Sequence, residues 1–152
     1  NHCAETGRSG LARFESRSRG DDETTRTKTH RPAVPQGTDM KHDEDVVTML
    51  GLTNAIRKRW KRRMLRLDAG LCMLAAERAD NMAFNASLTH TKGPAENIGF
   101  GFDSPEDALK GWMNSPGHRD NIVNKEHTHI GIGVSVEDGV AWWCVLFVAG
   151  KH

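Results

Sequence analysis

Large apolar residues are sparse and unpatterned over the first part of the chain and periodic from Val46 onward. Between Asn1 and Asp45 they are limited to Leu11, Phe14, Val34 and Met40, set among Arg, Ser, Thr, Asp, Glu and Gly. Such a composition cannot bury enough surface to offset chain entropy, so residues 1–43 read as a polar tail of low order and residues 44–152 as one domain. Val46, Met49, Leu50, Ile56 and Trp60 follow the three-four spacing of a buried helical stripe, with Asp43 or Asp45 as its cap. A second helix is expected after Asp68, with Leu71, Leu74, Ala75, Ala79 and Met82 on one face and an end near Phe84 or Asn85. In "SPED", Ser104 caps a third helix, Pro105 takes its first turn and Asp107 stands where a capping box closes. Its buried side is Ala108, Leu109 and Trp112; "SPG" then starts a short fourth helix at Ser115 and Pro116.

The period then changes from helical to two. Ile130, Ile132, Val134 and Val136 alternate with Gly131, Gly133, Ser135 and Glu137, which is a strand with one apolar face. Asp138-Gly139 is a two-residue hairpin signal. The return strand, 140–148, is apolar on both faces and needs cover above and below, so the expected architecture is a sheet between helical layers. Gly131 and Gly133 leave gaps on one face, for a closely packed helix or for a ligand cleft. A further short strand is expected over 96–101.

Composition adds little to this picture. The formal net charge of +1 gives no global reason for a nucleic-acid or acidic-membrane partner. The one local exception is "RKRWKRRMLR", where seven of ten residues are basic. Basic side chains suit a helix C-terminus, so this run reads first as a solvated face. The alternative is an electrostatic docking surface for nucleic acid or anionic surfaces, for which one cluster without interleaved stacking aromatics is thin support. Cys3, Cys72 and Cys144 show neither metal-ligand spacing nor disulfide-scaffold density, and Cys72 and Cys144 read as small buried hydrophobes. No run of about 18 apolar residues is present. No signal peptide is present in the chain either; it begins at Asn1 rather than a methionine, so a leader upstream would not be seen.

Of eight histidines, His2, His30 and His42 fall in or beside the polar tail and His152 is terminal. His127 and His129 share a strand face with chelating spacing but have no third ligand nearby in sequence. His90 and His118 lie at element boundaries, where side chains converge on clefts, and Glu96 stands between them at a strand entry. Two imidazoles and a carboxylate suffice for zinc with a position left open for water, although spacing alone does not bring them together. Ser115 near His118 is explained by its cap position, no nucleophile elbow surrounds it, and "GFGFD" lacks the rest of a phosphate loop.

The ordered set "LTNAIR", "LRLDAGLCMLAAERADNMA", "LTHT", "AENIGFG", "ALKGWMNSPGHRDNI", "HIGIGVSV" and "WWCVLF" resembles the CAP superfamily, also called SCP-domain proteins, which embraces the cysteine-rich secretory, antigen 5 and pathogenesis-related 1 proteins. The resemblance covers about 46–150 and is closest to compact bacterial-type members. It implies an α+β fold, a three-layer α/β/α sandwich around a central, mainly antiparallel sheet. It also implies that His90, Glu96 and His118 line one cleft, as the matching residues do in many members, where it sometimes holds zinc or another divalent ion. Four departures stand out, one of them a short loop from His90 to Glu96. Met113, Asn114 and Ser115 follow Trp112 where many members carry a second acid, Ala95 replaces a frequent glycine, and His127 takes a position that is often aromatic. The missing acid weakens acid/base hydrolysis more than metal binding.

The function expected on this basis is a non-enzymatic, extracytoplasmic CAP-domain protein whose His/Glu cleft takes a divalent metal or a small ligand. The partner is then a small ligand, a lipid or a cell-surface component, with nucleic acid disfavoured. A metal-dependent hydrolase using the same three residues is the alternative, and basic-patch binding through residues 57–66 the third.

Overall fold

The structure, a computed structural model, is described here for residues 36–150, with side chains from Lys41 onward. Its elements are α1 (Gln36–Arg59), β1 (Arg66–Leu67), α2 (Ala69–Asn85), β2 (Ala95–Phe100), α3 (Pro105–Met113), α4 (Pro116–Val123), β3 (His129–Glu137) and β4 (Val140–Val148). Asp138 and Gly139 both take positive φ, 54° and 78°, and fold β3 back onto β4 as the Asp-Gly pair predicts. β2 adds antiparallel to the far side of β4, and the two-residue β1, which the apolar pattern does not reveal, adds parallel to β3. The order is β1-β3-β4-β2, so the sheet is mainly antiparallel, as the expected fold class requires.

The register assigns the faces. Gly131 lies opposite Leu146 and Gly133 opposite Cys144, while Glu96 and Ile98 flank the same two β4 residues from the other side. This face is covered by α2, whose Ala75, Ala79 and Met82 pack with Ile98, Trp142, Cys144 and Leu146. The other face carries Ile130, Ile132, Trp143, Val145 and Phe147 and is covered by α1, α3 and α4. Every residue from Trp142 to Phe147 is 0–1% exposed, which is the double cover that the apolar strand demands. The two glycines prove to be seats for a helix and not walls of a cleft. A Cβ on Gly131 would stand 2.4 Å from the Leu71 carbonyl carbon, and one on Gly133 2.4 Å from that of Ala75.

Helix caps follow local chemistry. Asp68 accepts from the Leu71 N–H at 2.8 Å, and Ser104 accepts from the Asp107 N–H at 3.1 Å with Pro105 at the start. The first helix differs from expectation. It begins at Gln36, so Asp43 and Asp45 are interior positions and not caps, and Asp45 instead bonds Lys41 one turn back at 2.8 Å. Residues 1–35, and with them most of the expected tail and Cys3, lie outside the described residues.

The centre of the buried stripe of α1 is also shifted. It consists of Asp45, Met49, Thr53 and Arg57, with Val46, Leu50 and Ile56 half-buried beside it and Trp60 exposed. Arg57 is completely buried and meets backbone oxygens only: those of Arg63 (2.8 Å), Ile122 (2.8 Å), Asn124 (2.9 Å) and His127 (3.3 Å). Arg62 donates to Val123 O at 2.7 Å. The end of α4 has carbonyls without intrahelical donors and the negative end of a dipole, and two guanidinium groups from the basic run satisfy them. Burial, with Arg62 nearby, lowers the Arg57 pKa from its usual range. Part of the basic run is therefore structural and not a solvated face.

His127 sits beside this junction. Its ring stacks on Phe147 at 5.3 Å and 14°, which explains how imidazole substitutes for an aromatic residue there. Its Nδ1 donates to Asn121 O at 3.1 Å. Burial lowers its pKa below 6.5, Arg57 adds to that, and the bond to Asn121 opposes it. A histidine depressed in the folded state binds its proton more readily when unfolded. Its contribution to stability is thus full above pH 6.5 and is lost as pH falls through the folded-state value. Urea unfolding of wild type and His127→Phe between about pH 7.5 and 5 tests this: the wild type loses more stability on acidification than the variant. Equal slopes would contradict it.

Candidate functional site

Glu96, the second residue of β2, is 6% exposed and directed to the face covered by α2. The direction follows from strand alternation, since it shares its side with Ile98. From α2, Arg78 donates through Nη1 to Glu96 Oε2 at 3.1 Å. From the loop after α2, the Thr91 N–H donates to Oε1 at 3.2 Å, and His90 Nδ1 stands 2.9 Å from the same oxygen. From β4, the Cys144 thiol approaches Oε2 at 3.8 Å. Burial pushes that thiol far above its ordinary range, and the negative charge of Glu96 pushes it further, with Arg78 opposing. The thiol therefore stays protonated and acts as a weak donor.

Four donors thus converge on one carboxylate. With Nδ1–H given to Glu96, Nε2 is the ring nitrogen that a metal or other ligand would meet. His90 and Glu96 line a cleft of about 540 Å³ together with Lys92, Gly117, Asp120 and Asn121. The sequence-predicted pair His90 and Glu96 is brought into direct contact.

His118 is placed differently. It is the third residue of α4, only 1% exposed, and its Nδ1 shares a 2.8 Å hydrogen bond with Ser115 Oγ. Ser115 occupies the N-cap position with Pro116 at the start, as "SPG" predicts, but its hydroxyl makes no capping bond to the backbone. The serine holds the imidazole instead. Two residues not singled out in the sequence connect this helix to the strand of Glu96. Asn97 Nδ2 donates to His118 O at 3.1 Å, and Asn121 Nδ2 donates to Asn97 Oδ1 at 2.9 Å and to Glu96 O at 3.4 Å. The available signal was a fully buried asparagine in an apolar strand, which must find partners. Arg78 was also missed; it lies on the predicted second helix, one turn after the apolar Leu74, with nothing local to mark its partner.

Among the described residues, no group of three or more His, Cys, Asp or Glu side chains is arranged to hold a metal ion. The other spaced pair is not assembled as a chelate: His127 donates to Asn121 O, and His129 Nδ1 bonds Thr128 Oγ1 at 2.7 Å.

The α/β/α sandwich is the fold that the resemblance implies, and comparison with known proteins agrees. The sequence profile of the cysteine-rich secretory protein family, CAP, matches residues 50–147. The chain belongs to the CAP family. It is 32% identical over 138 residues to the uncharacterised protein YkwD of Bacillus subtilis, covering 79% of this chain and 51% of that one. It thus spans about half of that relative's length. Among solved structures it is similar to an extracellular SCP-domain protein of Bacillus anthracis, with TM-score 0.63, 25% identity, and 77% of this chain and 45% of that one covered. It is also similar in fold to an outer surface protein of Borrelia burgdorferi, with TM-score 0.65, 22% identity, and 78% and 97% covered. No helix among the described residues is long and apolar enough to cross a membrane.

Proposed function

We propose that this chain is a non-enzymatic binding domain acting outside the cytoplasm, and that its cleft takes a small ligand or divalent ion through His90. The observation that carries this is the His90–Glu96 contact at 2.9 Å on the wall of the cleft. Glu96 fixes the ring and its tautomer, and His90 is the group offered to the ligand. The extracellular and outer-surface proteins of the same fold support the location.

For zinc or a related ion, the described side chains fit as a partial donor set. His90 is the direct nitrogen donor and Glu96 its hydrogen-bonded support; His118, the second imidazole of the proposed set, is held on the buried side of α4 by Ser115. A bound ion would supply positive charge for an anionic or carbonyl ligand group. The hydrolytic alternative requires Glu96 to accept a proton from water. Both oxygens of this carboxylate are already occupied by Arg78, Thr91, His90 and Cys144, which leaves it badly placed to meet a water.

Calorimetry with zinc on the whole chain tests the reading. Affinity is expected to fall at least about 100-fold in His90→Ala/His118→Ala, and about 10–100-fold in Glu96→Gln, which weakens the support behind His90 and also takes the charged partner from Arg78. Unchanged zinc affinity in the double variant overturns the metal site.

A further inference from the structure

The connection from α1 to β1 combines a fixed backbone with an outward set of side chains that the domain does not use. Between Lys58 and Leu67 only Leu65 is buried and Arg62 half-buried; the other eight residues are exposed. The backbone is held from within. The Arg62 N–H closes onto Arg57 O at 2.8 Å and the Lys61 N–H onto Lys58 O at 2.9 Å, with Lys61 at φ 58°, a Schellman end to α1. Arg57 Nε grips Arg63 O, Arg62 Nη1 grips Trp60 O, and Asn54 brackets both backbone groups of Leu65, at 3.1 and 2.7 Å.

What this scaffold displays is unusual for a solvated loop. Trp60 is 44% exposed, Met64 64% and Leu67 42%. Around them stand Lys58, Arg59, Lys61, Arg63 and Arg66, with no acidic residue in the segment and no ion pair to any described residue. A tryptophan and two long apolar side chains projecting among cations match the chemistry of an anionic bilayer surface, where cations meet headgroups and apolar tips enter the acyl boundary. A nucleic acid would use the charges but leave Met64 and Leu67 without a role, and successive bases would ask for more than one stacking ring. A second copy of the loop would meet it with like charge. Residues 1–35 carry seven basic against five acidic side chains and are no better matched.

We infer that the α1–β1 connection, Lys58 to Leu67, is a peripheral docking element for anionic lipid bilayers. It is separate from the cleft and does not depend on metal binding there. Docking costs little ordering because the backbone is already fixed.

The other three tryptophans, Trp112, Trp142 and Trp143, are 0–1% exposed, so lipid-induced changes in fluorescence report Trp60. The whole chain is titrated with vesicles of phosphatidylcholine alone and with about one third phosphatidylglycerol, unlabelled or brominated on the acyl chains. Expected are a blue shift and bromine quenching with the anionic vesicles only. Arg59→Glu/Arg63→Glu should bind at least about 100-fold more weakly, and Trp60→Ser/Met64→Ser, which keeps every charge, about tenfold more weakly by sedimentation. All four side chains are exposed, and circular dichroism confirms that the variants fold. Equal binding to neutral vesicles overturns the inference, as does absence of binding. Anionic binding that the Trp60/Met64 variant retains in full, with equal affinity for an oligonucleotide, also overturns it in favour of a purely electrostatic surface.

Discussion

Arg57→Met should lower the unfolding free energy by about 3–5 kcal/mol, although it replaces a charge with an apolar side chain of similar length inside the domain. A fully buried cation with no carboxylate partner would ordinarily be a poor stabiliser. Here the guanidinium meets four backbone carbonyls, two of them at or just beyond the end of α4. Removing it leaves those oxygens in a site that water does not readily enter, and each unsatisfied buried group costs about 1–3 kcal/mol. Arg57→Lys should fall between the two, because an ammonium group has three donors on one atom and cannot span a fan of four acceptors. Urea denaturation with an unchanged m-value is the measurement. A methionine variant within about 1 kcal/mol of wild type would show that the carbonyls find water and that the cage contributes little.

Gly133→Ala is the second large effect, and it acts through one methyl group. The added Cβ would lie 2.4 Å from both the Ala75 carbonyl carbon and the Ala76 nitrogen. These are backbone atoms, so no rotamer change relieves the overlap and α2 has to move off the sheet. We expect a loss of about 3 kcal/mol or more, at the upper end for overpacking, and poor yield of folded protein. Gly51→Ala is the control: nothing lies within 4 Å of its new Cβ, and alanine favours the helix. A Gly133→Ala variant as stable as wild type would mean that α2 rides on the sheet with slack. The displacement also has a functional reading, because Arg78 is on α2 and Glu96 is on the sheet. A shift of the helix loosens the grip on the carboxylate that orients His90.

These two sites show where sequence reading succeeds and where it stops. Asp68, Ser104 with Pro105, and Asp138-Gly139 were legible because a cap or a tight turn is decided within four residues by local donors, acceptors and φ. The glycines facing α2 were legible as gaps, but only packing decided between a helix and a ligand. Arg57 reads as part of a solvated run because three of its four partners lie 65 to 70 residues away in sequence. Trp60 fits the helical spacing of a buried stripe, yet α1 ends at Arg59 and the chain turns outward there. At the cleft, element boundaries marked His90, Glu96 and His118 as candidates and the resemblance implied that they meet, whereas the structure pairs His90 with Glu96 and holds His118 buried against Ser115. Neither the boundaries nor the resemblance gave Arg78, Asn97 or Asn121, whose importance rests on contacts across the sheet and helices.

The environment of Cys144 has a chemical consequence for the lifetime of the molecule. Oxidants and disulfides react with thiolate, and here burial and the neighbouring carboxylate both oppose its formation. Cys72, whose sulfur accepts the Ile132 N–H at 3.4 Å, is likewise shifted up by burial. Both described cysteines are unpaired with other cysteines and are held in the form least open to attack. The fold thereby gives the two described thiols resistance to oxidants without a crosslink between them.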